Sequence, residues 1–222
     1  MRVFLQLPIY VVIETSMCTE KFIGDVFDYL IKLNNILISQ AWTCNLIRIE
    51  IITFNTNSQI VLPLSHAVQF FDWLGFNKES KFTHSHGADF GSAFKLLRER
   101  IVEGCKQIES EIALGNQKFG VCRPIVLFFA DGYPTDDPNT LNKEFNLLVN
   151  ESFKYRPNIF CLGFDEESKN LLKVFNTMVY LSPSGDYKYG NVNKMFTFEK
   201  IIYIISSLHD IPKEFFLIEY DD

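Results

Sequence analysis

The sequence predicts a three-layer α/β fold with a mostly parallel central sheet and one antiparallel edge strand. Three observations predict it. Apolar runs of strand length alternate with amphipathic helical stretches along the chain. One pair of strand-like runs is joined by polar turn residues, which marks a hairpin. Finally, no internal repeat, low-complexity tract or Pro/Gly/Ser linker divides the 222 residues, so a single domain over 1–222 is expected, with its core at about 8–208.

The elements follow in order. Residues 8–13 (PIYVVI) form a continuous β-branched and aromatic run, the pattern of a strand buried on both faces. Ile23, Val26, Phe27, Leu30, Leu33 and Leu37 then recur at three and four residues, a helical stripe. Residues 46–54 (LIRIEIITF) and 59–64 (QIVLPL) flank Asn-Thr-Asn-Ser and read as the hairpin. Pro63 assigns the second of these to an edge, because proline cannot donate to a ladder. A helix is expected over 90–102, with Phe94, Leu97 and Ile101 on one face. Residues 124–130 (PIVLFFA) are the most hydrophobic strand and belong at the centre of the sheet. A helix (about 140–152), a strand (158–164), a helix (166–175), a short strand (178–181) and a last helix (196–208) complete the prediction. With 22 phenylalanines in the chain, the core should be Phe-rich.

Composition bounds the function. Hydrophobic residues are 47% and charged residues 22% of the chain, the balance of a globular domain rather than a disordered one. The net charge of −6 lacks the basic surplus that displaces counterions from phosphate, which argues against nucleic acid as a partner. Glu214, Glu219, Asp221 and Asp222 form a short acidic tail. No apolar run reaches the ~18 residues of a membrane span, and the first residues carry no small-residue cleavage site. The five cysteines (Cys18, Cys44, Cys105, Cys122, Cys161) are odd in number and widely spaced. That pattern suits reduced thiols, so a cytoplasmic protein is expected.

In an open parallel sheet, ligands bind beyond the carboxyl ends of the strands. The chemistry should therefore lie in three loops: Glu14-Thr15-Ser16-Met17-Cys18, then His84 to Asp89, then Asp131 to Asp137. Familiar catalytic motifs do not fit. Gly115 and Gly120 have phosphate-loop glycine spacing but are followed by Val121-Cys122 rather than Lys-Ser/Thr. There is no GxSxG elbow or GxGxxG turn.

The stretches LPIYVVIETSMCTEKF, IRIEIITFNTNSQIVLPL, GADFGSAFKLL and RPIVLFFADGYPTDD resemble a von Willebrand factor A (VWA) domain. The DGYPTDD segment is most similar to the small stand-alone bacterial TerY-like type. The resemblance implies a Rossmann-like three-layer fold. It also implies a metal-ion-dependent adhesion site, in which an Asp-x-Ser-x-Ser loop, a Thr and a further Asp hold Mg²⁺. Mapped onto this sequence the site is degenerate. Glu14 stands at the first Asp position, one methylene longer, displacing the carboxylate by about the 1.5 Å of a C–C bond. Ser16 and Asp131 are retained. Cys18 replaces the second Ser, and its soft sulfur is a poor ligand for Mg²⁺. Ala88 replaces the Thr and has no ligand atom.

Several alternatives stay open at this level. Asp89 could substitute as a ligand or cap the helix beginning at Phe90. Asp136 and Asp137 could line a partner groove or supply turn and N-cap chemistry ahead of the next helix. His84, His86, Cys18, Asp89 and Asp131 together are a borderline-soft donor set of the kind Zn²⁺ takes.

The expected function is a non-enzymatic protein-interaction or adaptor module with no required cofactor. A partner would bind at Glu14, Ser16, Cys18, His86, Asp89, Asp131, Asp136 and Asp137. The resemblance implies a tellurite-resistance, stress- or conflict-response setting with a Ser/Thr kinase or metal-dependent phosphatase from the same operon as partner. Two rival expectations are a metal-dependent enzyme at the same strand-end cluster and a structural subunit of a larger assembly.

Overall fold

The computed structural model describes residues 4–39, 46–76, 82, 84–114, 119–181, 187–192, 200 and 201. Among these residues eight strands form one sheet: β1 (Phe4–Glu14), β2 (Ile47–Phe54), β3 (Ser58–His66), β4 (Phe119–Val121), β5 (Ile125–Ala130), β6 (Asn158–Gly163), β7 (Thr177–Leu181) and β8 (Tyr187–Asn191). Their order is β3-β2-β1-β5-β6-β7-β8, with β4 pairing the start of β1. Among the described residues five α-helices of seven residues or more flank it: α1 (Ile23–Ser39), α2 (Ala67–Phe76), α3 (Phe90–Leu114), α4 (Pro138–Val149) and α5 (Glu166–Leu172).

The sheet is parallel through β2, β1, β5 and β6. β3 closes one edge antiparallel to β2, carrying Pro63 where its missing N–H costs no interior ladder bond. The other edge departs from the expectation of a single antiparallel edge. β7 meets β6 at one antiparallel pair, Ile159↔Thr177, and β8 folds back antiparallel on β7. Tyr187–Asn191 (YKYGN) has no apolar run, so its sequence gives no sign of a strand.

Every residue of β2 and β5 is buried, because helices cover both faces of the sheet. Leu7, Ile9, Val11 and Ile13 of β1 pack on one side with Val26, Leu30 and Leu33 of α1 and Phe70 of α2. Tyr10 and Val12 face the other side, against Phe90, Phe94, Leu97 and Ile101 of α3 and Leu141 and Leu148 of α4. Phe128 sits at the centre of a phenylalanine cluster, with ring centroids 5.2 Å from Phe54, 5.3 Å from Phe90 and 5.2 Å from Phe94. Each buried ring of this kind contributes about 1.5–3 kcal/mol by burial.

Two helices differ from the sequence prediction. α3 runs to Leu114, well past Val102. Its stripe continues through the buried Cys105 and Ile108, but the polar residues between them hide it. Gly104 is required there, since a Cβ would come within 2.4 Å of the Tyr10 hydroxyl, which donates to the Arg100 carbonyl. α2 was not anticipated; it buries only Ala67 and Phe70 and exposes Val68, Phe71 and Phe76, so it lacks a clear amphipathic stripe. Lys200 and Ile201 are helical. The rest of the helix expected over 196–208, the acidic tail and Cys44 lie outside the described residues.

Candidate functional site

The carboxyl ends of β1, β2 and β5 converge, and the loops leaving them are tied to one another. Thr15 N–H donates to the Phe54 carbonyl at 2.7 Å. Ser16 and Ser85 form an isolated parallel bridge, in which Met17 N–H donates to Ser85 O at 2.9 Å. Thr19 Oγ1 donates to the carbonyls of Glu14 (3.1 Å) and Ser16 (3.0 Å), holding the first loop in a tight turn ahead of α1.

Glu14 is the hub of this end. It is 0% exposed, and its carboxylate accepts from Ser16 Oγ at 2.5 Å and from Asp131 N–H at 2.9 Å. Burial, against the pull of the two hydrogen bonds and with the adjacent Asp131 carboxyl adding to it, leaves its carboxyl pushed up to about 7. No Lys or Arg is among the groups acting on it. Asp131 itself is partly exposed, and its Oδ1 accepts from Tyr133 N–H at 2.9 Å. Gly132 between them has φ of +87°, a conformation that glycine adopts without strain.

The second and third loops are clamped together by side chains distant in sequence. Thr135 Oγ1 accepts from Ala88 N–H at 3.0 Å while Thr135 N–H donates to Ala88 O at 2.9 Å. The Asp136 carboxylate accepts from Phe90 N–H (3.1 Å) and Gly91 N–H (2.9 Å), capping the first turn of α3 from another loop. Asp89 Oδ1 accepts from Ser92 N–H at 2.7 Å, so it too is a cap of α3. Asp137 caps α4, accepting from Thr140 N–H at 2.9 Å, with Pro138 at the first helical position.

Of the residues singled out from the sequence, Glu14, Ser16 and Asp131 are brought together. Glu14 and Ser16 (4% exposed) lie beneath the surface, so a partner cannot touch the Glu14 carboxylate directly. Asp89, Asp136 and Asp137 are engaged as helix caps. Cys18 and His86 are exposed, while His84 Nδ1 lies 3.3 Å from the Ser16 carbonyl. Among the described residues no three His, Cys, Asp or Glu side chains are arranged to hold a metal ion, so the suggested Zn²⁺ set is not assembled. The other described cysteines, Cys105, Cys122 and Cys161, are buried, and burial pushes their thiols up.

Three residues were missed: Thr135, Tyr133 and Met17. Thr135 ties the loops together alongside Asp136, and only the density of polar groups in PTDD hinted at it. Tyr133 and Met17, each 49% exposed, present large apolar side chains beside Asp131 and Ser16. No periodicity singles out an isolated loop aromatic.

No known family profile matches the chain, and no curated protein matches it. Solved structures do. Proximal thread matrix protein 1 from the mussel byssus aligns at a TM-score of 0.50 and 13% identity, covering 75% of this chain. This chain spans only 40% of that protein's length. BatB from Bacteroides thetaiotaomicron aligns at a TM-score of 0.44 and 13% identity, over 84% of this chain and 80% of BatB. The vWF domain of the pili tip protein Mfa5 from Porphyromonas gingivalis aligns at 0.38 and 9%, over 60% of this chain and 40% of that one. The fold is that of a VWA domain. At these identities the likeness concerns the fold alone. Among the described residues no helix of this VWA fold is long and apolar enough to cross a membrane.

Proposed function

We propose that this VWA-fold protein is a non-enzymatic interaction module that binds a partner protein through the loop end of its sheet without a divalent cation. The observation that carries this reading is the engagement of both Glu14 carboxylate oxygens inside the protein, with no hydroxyl at position 18 or 88 beside them. Both carboxylate oxygens already accept from protein donors, Ser16 Oγ and Asp131 N–H. A six-coordinate Mg²⁺ needs hard oxygens in near-ideal geometry, and Cys18 and Ala88 supply none at the two positions where the VWA resemblance calls for hydroxyls. The residues present therefore do not fit Mg²⁺, and the site is read as a degenerate adhesion site. Its loops are held by hydrogen bonds that a metal would otherwise supplement.

The docking surface in this reading is the exposed ring around the buried hub: Met17, Cys18, His86, Asp131, Tyr133 and Asp137. An exposed tyrosine and an exposed methionine on the loops of one sheet end suit an interface, where aromatic anchors carry much of the binding energy. The likeness to TerY-type proteins supports a stress-response setting in the cytoplasm and a kinase or phosphatase as the partner. No catalytic step is assigned.

A photo-crosslinking residue placed at Tyr133 in the native host tests this. A discrete adduct is expected at position 133, absent when the crosslinker is moved to Lys154 on the far side, and retained in EDTA. Met17→Ser should reduce its yield. Loss of the adduct on chelation, or adducts of equal yield at both positions, would contradict the proposal.

A further inference from the structure

Arg123 and Arg156 each precede a proline, and each lies two residues before the first registered pair of β5 and β6, Ile125↔Asn158. The pairing of these parallel strands therefore brings both arginines to the amino end of the sheet, opposite the loops described above. The residue before a proline is held extended, which gives both segments the same local geometry. Their guanidiniums both stack on the Tyr189 ring of β8, at 5.4 Å and 4.7 Å from its centroid. The ring is fixed in place, since its hydroxyl donates to the Pro157 carbonyl at 2.7 Å and lies 3.2 Å from Thr177 Oγ1.

Among the described residues this cluster has no acidic partner. Of the five arginines among the described residues, Arg48, Arg98 and Arg100 each pair with a glutamate. Arg123 and Arg156 pair with none. Arg123 donates from Nη1 to the Arg156 backbone carbonyl at 2.9 Å, which ties its guanidinium to the Arg156 segment, and its Nε is buried with no acceptor. Burial and the neighbouring Arg156 both disfavour charge on Arg123. Two like charges held against one ring, one of them carrying an orphaned buried donor, form an arrangement completed by an anion.

We propose that Arg123 and Arg156 form a binding site for a phosphate group. A phosphate carries about −1.5 to −2 charge at neutral pH and several acceptor oxygens. That matches two guanidinium forks, whose N–H geometry accommodates phosphate oxygens in pairs. A single carboxylate would neutralise only one of them. The phosphate could arrive free or on a phosphorylated side chain of a partner, and the chemistry is the same. This site is independent of the loop end, so either proposal can fail without the other.

The test is a titration of the ¹⁵N-labelled full chain with inorganic phosphate, following the arginine Nε–Hε resonances at constant ionic strength against chloride. Saturable shifts of Arg123 and Arg156 with phosphate alone are expected. Arg123→Gln should weaken binding about tenfold or more, as the loss of a hydrogen bond to a charged group does. Arg156→Lys keeps the charge and removes the fork, and should weaken it as well. It is the milder change and serves if the first variant fails to fold. A phosphoserine peptide that binds more tightly than inorganic phosphate identifies a modified partner, and equal affinity identifies a free-phosphate site; either supports the proposal. Shifts that drift without saturating or occur equally in chloride, or an affinity unchanged in both variants, would overturn it.

Discussion

Two glutamates on adjacent strands, Glu14 and Glu50, are both 0% exposed, yet their surroundings differ completely. Glu50 faces Arg100 of α3, which donates from Nε at 2.7 Å and from Nη2 at 2.9 Å, a two-point ion pair. Glu14, at the carboxyl end of β1, has no cation and is left with a hydroxyl, one backbone N–H and a second carboxyl. Burying a charge is costly unless it is paired. Glu50 meets that cost with an arginine, and Glu14 meets it by holding on to its proton. Where a cation would complete an adhesion site, this protein has a carboxyl that titrates near neutrality.

The largest expected effect breaks the paired side. Arg100→Met leaves Glu50 buried and uncompensated and should cost about 3–5 kcal/mol in urea unfolding. Adding Glu50→Gln to it should recover much of the loss. A loss in the single variant no larger than a surface substitution gives would show that Glu50 does not need its partner.

The next effect concerns pH. Because the folded-state value of Glu14 lies above the ordinary 4.5, at about 7, its stabilising contribution is complete below pH 4.5 and is lost as pH rises through 7. Across that window stability should fall by up to roughly 3 kcal/mol. Glu14→Gln, neutral at every pH and still an acceptor, should flatten this dependence and be more stable than wild type at pH 8. Parallel stability–pH curves for the two proteins would contradict the assignment. A smaller effect is expected for Asp136→Ala, which removes the acceptor for Phe90 N–H and Gly91 N–H and should cost about 1–2 kcal/mol in thermal or urea unfolding.

Much of the fold, and the place of Glu14 in it, was legible in the sequence. The continuous apolar runs identified the central strands, parallel pairing identified the loops at their carboxyl ends, and the VWA resemblance singled out Glu14, Ser16 and Asp131 within those loops. What escaped was long-range. Asp136 caps a helix that begins 46 residues earlier in the chain, and no local pattern encodes that pairing. The Glu50–Arg100 pair spans 50 residues, and Glu50 sits in a strand whose other members are mostly aliphatic. The last half of α3 and strand β8 were hidden for a different reason, since polar residues interrupt their patterns.

The central claim is that the loop end is complete without a divalent cation. It is tested most directly by thermal melts of the full chain in EDTA, Mg²⁺ and Zn²⁺, with metal content read by mass spectrometry. The triple variant Glu14→Asp, Cys18→Ser, Ala88→Thr, which restores the hydroxyls and shorter carboxylate of the adhesion motif, serves as the positive control. A wild-type melting temperature that does not move between EDTA and Mg²⁺, with Mg²⁺ stabilising only the triple variant, is the predicted result. A wild-type melting temperature that climbs with metal concentration, as ligand linkage requires for a site that binds the folded state, would contradict it.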